Sequence, residues 1–300
     1  GRYLEIKMAT ELSQEGKFGQ AQSLLETSLR DSVETNGPLH IKTITLERNI
    51  ASVLVEQGNI VQAEEICNKA IGSIEKLLHT FEPSDKRTAQ AQIIGFKAIS
   101  GNIYLERRQY MEAETALRAA IKDRTALLHE KHGDHEILDE ELLTMQSDLG
   151  RTLIGLGRFV ESEKLLRTTL QNYKKRIGNA VTTSSDADSD DVIPLSNTGK
   201  SLPSNTPTQE KLVLPVYHVG TLKCMDALAT CLLLNFDNKD REEPVAVDTP
   251  RKEAEGLFRT IVNTYKDKHG DRHRLTLRAM ANLGNFHIYV TLYMISIWVQ

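Results

Sequence analysis

Along residues 49–71, N-I-A-S-V-L-V-E-Q-G-N-I-V-Q-A-E-E-I-C-N-K-A-I, small and apolar residues recur at helical spacing on both sides of a glycine. Ala51 is the small residue of the first run, and Gly58 follows seven positions later. Ile60, Ala63, Ile66, Cys67 and Ala70 then mark one face of a second helix. The stretch predicts a helix, a tight turn and an antiparallel helix.

The pattern returns along the chain. Ala9, Gly16, Phe18, Ala21, Leu24, Leu25 and Leu29 form a first copy, 42 residues upstream counted from Gly16 to Gly58. A third starts near Pro83-Ser84, with Ser84 as expected cap, Gly101 as small residue and Arg107-Arg108-Gln109 as turn; Tyr110, Ala113, Leu117 and Ile121 follow. A fourth has Gly150, Gly157, Phe159, Ser162, Leu165, Leu166 and Leu170. Small residues let paired helices approach closely, and Gly16, Gly58 and Gly157 suit the left-handed conformation that ends a helix. The second helices also end alike. Tyr173–Gly178 resembles Tyr265–Gly270, and Lys131-His132-Gly133-Asp134 resembles Lys268-His269-Gly270-Asp271. Glycine is expected to close each helix and aspartate to cap the next.

Self-similarity at this period marks a repeat protein. The predicted fold is all-α: a right-handed α-solenoid of antiparallel helix hairpins, with about 5.5 repeats. Residues 1–178 hold four hairpins. Residues 179–211, rich in Ser, Thr, Asp, Asn and Pro, read as a disordered insertion. Residues 212–285 hold a fifth hairpin, with an inserted loop at 236–248, and the first helix of a sixth. Thr249-Pro250 is expected to be the cap and first position of the helix after that loop. Residues 286–300 are an atypical apolar tail. The repeat would require a polar turn near Thr291 and a second helix, and the tail offers neither. It is short for a membrane span and lacks basic flanks, so membrane association is not expected.

Composition narrows the function. Apolar residues make up 40% and aromatics 5%, which suits helices interlocked through Leu, Ile and Ala. The balance of 37 basic against 41 acidic residues argues against a nucleic-acid partner. The three cysteines, Cys67, Cys224 and Cys231, form no C-x-x-C and point to buried thiols in a reducing, cytoplasmic compartment.

Several constellations resemble chemical sites and fail on spacing. His129, His132, His135 and Glu136 cluster, but His129-Glu130-Lys131-His132 lacks the i, i+4 histidine pair of a zinc helix. Pro194–Ser201 ends like a phosphate loop, yet Pro194 replaces its first glycine and Leu202-Pro203 blocks the helix that should follow. Asp186, Asp188 and Asp190 echo a calcium loop, with Asp191 and Asn197 where glycine and glutamate belong. Neither metal nor cofactor is expected. Ser185, Ser189 and Thr249 are candidate phosphate acceptors. No nucleophile, base and acid fall at a spacing that suggests catalysis, and the chain is not expected to be an enzyme.

The units resemble tetratricopeptide (TPR) repeats of the kinesin light chain-like type. The resemblance rests on Asn49-Ile50-Ala51, Gln57-Gly58-Asn59-Ile60 and Ala63-Glu64, and on Asp271-Arg-His273-Arg-Leu275-Thr276-Leu277 with Ala281-Asn282-Leu283-Gly284. It implies a protein-protein interaction scaffold whose first helices line a concave groove for a partner peptide or protein segment. In that family a polar residue two positions before the small residue faces the groove. Carried over, this gives Asn49, Asp148 and Asn282; the corresponding residues in repeats one, three and five are Lys7, Ile99 and Ala227. Such repeats also form the C-terminal sensor arm of larger signalling NTPases (NB-ARC/STAND-like), which is the alternative expectation. A third is an enzyme with its site in the insertions.

Overall fold

The computed structural model describes residues 2–81, 83–132, 138–184, 218–235 and 248–298. Among them are eleven α-helices and no strand: α1 (Arg2–Gln14), α2 (Phe18–Asn36), α3 (Ile41–Gln57), α4 (Ile60–Leu77), α5 (Pro83–Glu106), α6 (Tyr110–His132), α7 (Glu140–Gly155), α8 (Phe159–Ser184), α9 (Val219–Asn235), α10 (Asp248–His269) and α11 (Arg274–Trp298). Consecutive helices pack side by side, giving five hairpins and a single last helix. The molecule is an α-solenoid.

The hairpins close alike. Gly16 N–H donates to the Ser13 carbonyl at 2.9 Å, and Lys17 N–H to that of Leu12 at 2.8 Å. The same pair of bonds recurs at Gly58 and Asn59, at Arg108 and Gln109, and at Gly157 and Arg158. This geometry satisfies orphan helix carbonyls and requires a left-handed residue. Glycine takes it at three turns, and Arg108 takes it at the other with φ 59°.

The small positions work by contact. A Cβ on Gly101 would stand 2.7 Å from Leu117 Cγ, and one on Gly150 would stand 2.5 Å from Leu166 Cδ2. Both partners lie sixteen residues downstream. The same offset separates Ala9 from Leu25 and Ala51 from Cys67, and all four are buried in one cluster. Each second helix thus presents a side chain to the small residue of its own first helix.

First helices also pack on first helices, as α3 does on α5 and α7 on α9. Arg48 of α3 lies across α5, where a Cβ on Gly95 would fall 2.3 Å from its Nη1, and reaches Glu141 of α7 at 2.8 Å. The first helices therefore form the inner wall of the array.

The links between hairpins use two kinds of cap: before α7 Asp139 Oδ1 accepts the Leu142 N–H at 2.9 Å, while histidine caps α3 and, in place of the expected Asp271, α11. His40 Nδ1 accepts the Lys42 N–H at 3.2 Å, and His273 Nδ1 accepts the Leu275 N–H at 3.3 Å. Three residues on, Thr43 donates to the Gly37 carbonyl and Thr276 to that of Gly270, at 2.8 and 2.9 Å. Asp271 instead pairs with Lys266 at 2.8 Å.

Three other local expectations are corrected, at Ser84, Thr249 and Gly178. Ser84 and Thr249 are not the caps expected of them: each is the second residue of its helix, in α5 and α10. Gly178 does not close α8, which continues to Ser184; one glycine costs only about 1 kcal/mol within a helix. The apolar tail continues α11 without a turn as far as Trp298. The rest of the 179–211 insertion and the loop at 236–247 lie outside the described residues.

Candidate functional site: the inner face

The curvature of the array brings distant repeats together. Glu56 at the end of α3 pairs with Lys223 at the start of α9. His273, just before α11, contacts the Glu15 carbonyl in the first turn at 2.8 Å. Arg274 lies over the Phe18 ring, 5.4 Å from its centroid.

Two of the three predicted groove residues are engaged in this wall. Asp148 is 8% exposed, and Arg151 Nη1 donates to its Oδ1 at 3.4 Å. Arg151 also reaches Glu106 of α5 at 3.4 Å. The Asn282 amide of α11 donates to Asp226 of α9 at 2.8 Å. Asn49 is half-buried on α3. At the equivalent positions Lys7 is exposed, Ile99 packs against the core and Ala227 is buried.

Arg151 and Asp226 tie this polar set together, and neither was singled out in the sequence. Arg151 stands one residue after the small position of its repeat, and Asp226 stands one residue before Ala227. Arg151 lies one turn from Asp148 along the same helical stripe, whereas Asp226 lies about 100° around α9 from the expected position at Ala227. The available signal was charge within the inner stripe, at Glu56, Arg151, Lys223, Asp226 and Arg278.

An open pocket of ≈ 370 Å³ lies where α5, α7 and α9 meet. Glu106, Arg108, Arg151 and Asp226 give it charge, and Leu105, Tyr110 and Ile154 give it apolar surface. Tyr110 fits because a Cβ on Gly155 would collide with its ring at 2.3 Å. Arg108 enters from the strained turn position.

Electrostatics separate the carboxylates. Burial pushes the Asp226 carboxyl up, opposed by the Asn282 hydrogen bond and by Arg278 and Arg151. Burial also acts to raise Glu56, but Lys223, with Arg278 and Arg151, outweighs it and holds this carboxyl below its usual range. Burial weakens the Arg151 cation, and Asp148 and Glu106 more than restore it. The wall thus offers fixed donors and acceptors of both signs beside apolar side chains.

The thiols sit apart from this surface. Cys67, Cys224 and Cys231 are free and buried. Burial pushes the Cys67 thiol up to about 12 and Cys224 up to about 11, so neither is a thiolate nucleophile at neutral pH. Among the described residues no group of three His, Cys, Asp or Glu is placed to hold a metal. No helix among them is long and apolar enough to cross a membrane. Thr249 is exposed in the first turn of α10. Ser185 and Ser189 lie outside the described residues, as do His135 and Glu136.

No protein-family model and no curated protein matches the chain. Among solved structures it is similar to the nearly identical TPR-like repeats of a kinesin light chain-type protein from Podosopora anserina, at 15% identity over 89% of this chain and 96% of that one, with a TM-score of 0.43. A variant of the same repeats gives 15% and 0.43 over 86% and 94%. BtubC (BKLC) from P. vanneervenii is similar at 18% identity over 69% of this chain and 71% of that one, with a TM-score of 0.42.

Proposed function

We propose that the chain is a non-catalytic scaffold that holds a segment of a partner protein along its inner wall. The observation that carries this reading is the pocket between α5, α7 and α9, where Glu106, Arg108, Arg151 and Asp226 stand beside Leu105, Tyr110 and Ile154. An extended segment carries one backbone donor and one acceptor per residue, with successive side chains pointing to opposite faces. A wall with anchored groups of both signs and an apolar slot matches that pattern. In this reading Asn49, Asp148 and Asn282 are contacts of the bound segment, and Arg151 and Asp226 orient it. No nucleic acid, membrane or cofactor takes part.

Arg108 supports the same reading. Three turns use glycine, and the one beside the pocket uses an arginine in a conformation costing about 1–2 kcal/mol. Strain held at one copy of a repeated turn accords with a role for its side chain. Thr249 is a secondary control point in the proposal: phosphate in the first turn of α10 would add charge at a helix N-terminus.

The test is selection of displayed random peptides on the intact chain, followed by photo-crosslinking of the best peptide. The proposal expects crosslinks on the inner faces of α5, α7 and α9. Crosslinks confined to second helices would refute it.

A further inference from the structure

The last helix presents three faces. Thr276, Ala279 and Phe286 are buried against the preceding hairpin. Arg278 and Asn282 turn toward the inner wall, where they act on Asp226. The third face carries Leu277, Ala281, Gly284, Ile288, Leu292 and Ile295, at spacings of 4, 3, 4, 4 and 3. All six are exposed, Ile288 and Leu292 by 60% and 62%. That stripe spans nineteen residues, or about 27 Å of helix.

In earlier repeats this face is covered by the second helix of the same hairpin. Gly284 is the small residue of the sixth repeat, two after Asn282 as Ala51 is two after Asn49. At Gly101 and Gly150 a leucine from the covering helix lies within 2.8 Å of an added Cβ. At Gly284 nothing lies within 4 Å. The chain continues straight through Thr291 instead of turning, so no described residue fills the place.

We infer that this face of α11 pairs antiparallel with α11 of a second copy, around a twofold axis at Ile288. The spacing is self-complementary. Gly284 and Leu292 lie four residues either side of Ile288, so the axis brings each Leu292 onto the other copy's Gly284. This repeats the glycine–leucine contact found inside the hairpins. Charge agrees: α11 contains no carboxylate, and its arginines, Arg274 and Arg278, lie at one end. Antiparallel pairing sets each arginine end against the uncharged end of the other helix, with no like charges opposed. The contact also continues the α10–α11 core outward, as a further helix of the solenoid would. An isologous contact of this kind closes at two copies.

The test uses sedimentation equilibrium of the intact 300-residue chain. The expected result is a reversible dimer. Ile288→Glu sets two carboxylates against each other at the axis and should weaken the dimer on the order of 100-fold, with helicity unchanged because Ile288 is exposed. Mixing Ile288→Glu with Ile288→Lys should restore a dimer, and Ile288→Cys should crosslink to itself on oxidation. A wild-type monomer at all concentrations, including one whose apolar face binds only an unrelated helix, would overturn the inference. So would an Ile288→Glu protein that dimerises like the wild type.

Discussion

The Nε2–H of His273 donates to the backbone carbonyl of Glu15 at 2.8 Å, joining the first turn of the array to the link before its last helix. Nδ1 of the same ring accepts the Leu275 N–H, which leaves the proton of the neutral ring on Nε2. His269 stacks on His273 with centroids 4.3 Å apart. Burial, then the neighbouring His273 and Lys268, lowers the His269 pKa below 6.5. A histidine with a depressed folded pKa takes up protons more readily when unfolded. Its contribution is therefore intact above pH 6.5 and is lost as pH falls below that value. Urea midpoints should decline between pH 7.5 and 5.5, and His269→Gln should flatten part of the decline. An unchanged slope in the variant would contradict the assignment.

Glu140 carries a second, more acidic dependence. His218 and Arg176 donate to it at 3.1 and 2.7 Å. The His218 hydrogen bond chiefly, opposed by burial and aided by Arg176, holds its pKa at about 2, against 4.5 when free. This contribution is full above pH 4.5 and fades as pH falls toward 2. Glu140→Gln should cost about 1 kcal/mol near neutrality, since the side chain is half exposed, and the cost should shrink as pH falls below 4.5 and be lost only below about pH 2.

Glycine substitutions should differ in sign by position. At Gly150 an added Cβ meets Leu166 at 2.5 Å, so Gly150→Ala should destabilise by about 1–3 kcal/mol. At Gly72, inside α4, nothing lies within 4 Å, and Gly72→Ala should stabilise by about 0.5–1 kcal/mol. Thermal unfolding of both variants checks the pair.

The turns give a further contrast. Gly157→Ala places a side chain at φ 72° and should lose about 1 kcal/mol. Arg108→Gly relieves the strained turn of the third hairpin and should gain up to about 1 kcal/mol. Under the proposed function Arg108→Gly also weakens peptide binding, measured on the same preparation.

The hairpins were legible because their signals are local. A small residue, a left-handed turn seven positions later and an apolar face after it are all set by contacts within one repeat. Ala51, Gly58 and Ala63 show this, and Arg107-Arg108-Gln109 was recognisable as a turn without its glycine. The helix ends were harder, since capping at Ser84, Gly178 and Asp271 competes with alternatives of similar energy, and His273 supplied the cap expected of Asp271. The inner wall was least legible. Arg151 and Asp226 acquire their roles through Glu106, Asp148 and Asn282 on other helices, and Glu56 meets Lys223 only because curvature accumulates over three repeats. The straight course of α11 was foreshadowed by the missing polar turn near Thr291.

The most direct measurement is fluorescence anisotropy of the tightest selected peptide. It would be titrated with wild-type chain, with Arg151→Ala/Asp226→Asn, and with Glu26→Ala, which alters an exposed residue on α2. Circular dichroism should first show equal folding. The scaffold account predicts at least a tenfold loss of affinity, about 1.4 kcal/mol, for the inner-wall variant alone. Equal affinity for wild type and inner-wall variant, or the same loss in the α2 control, would contradict it.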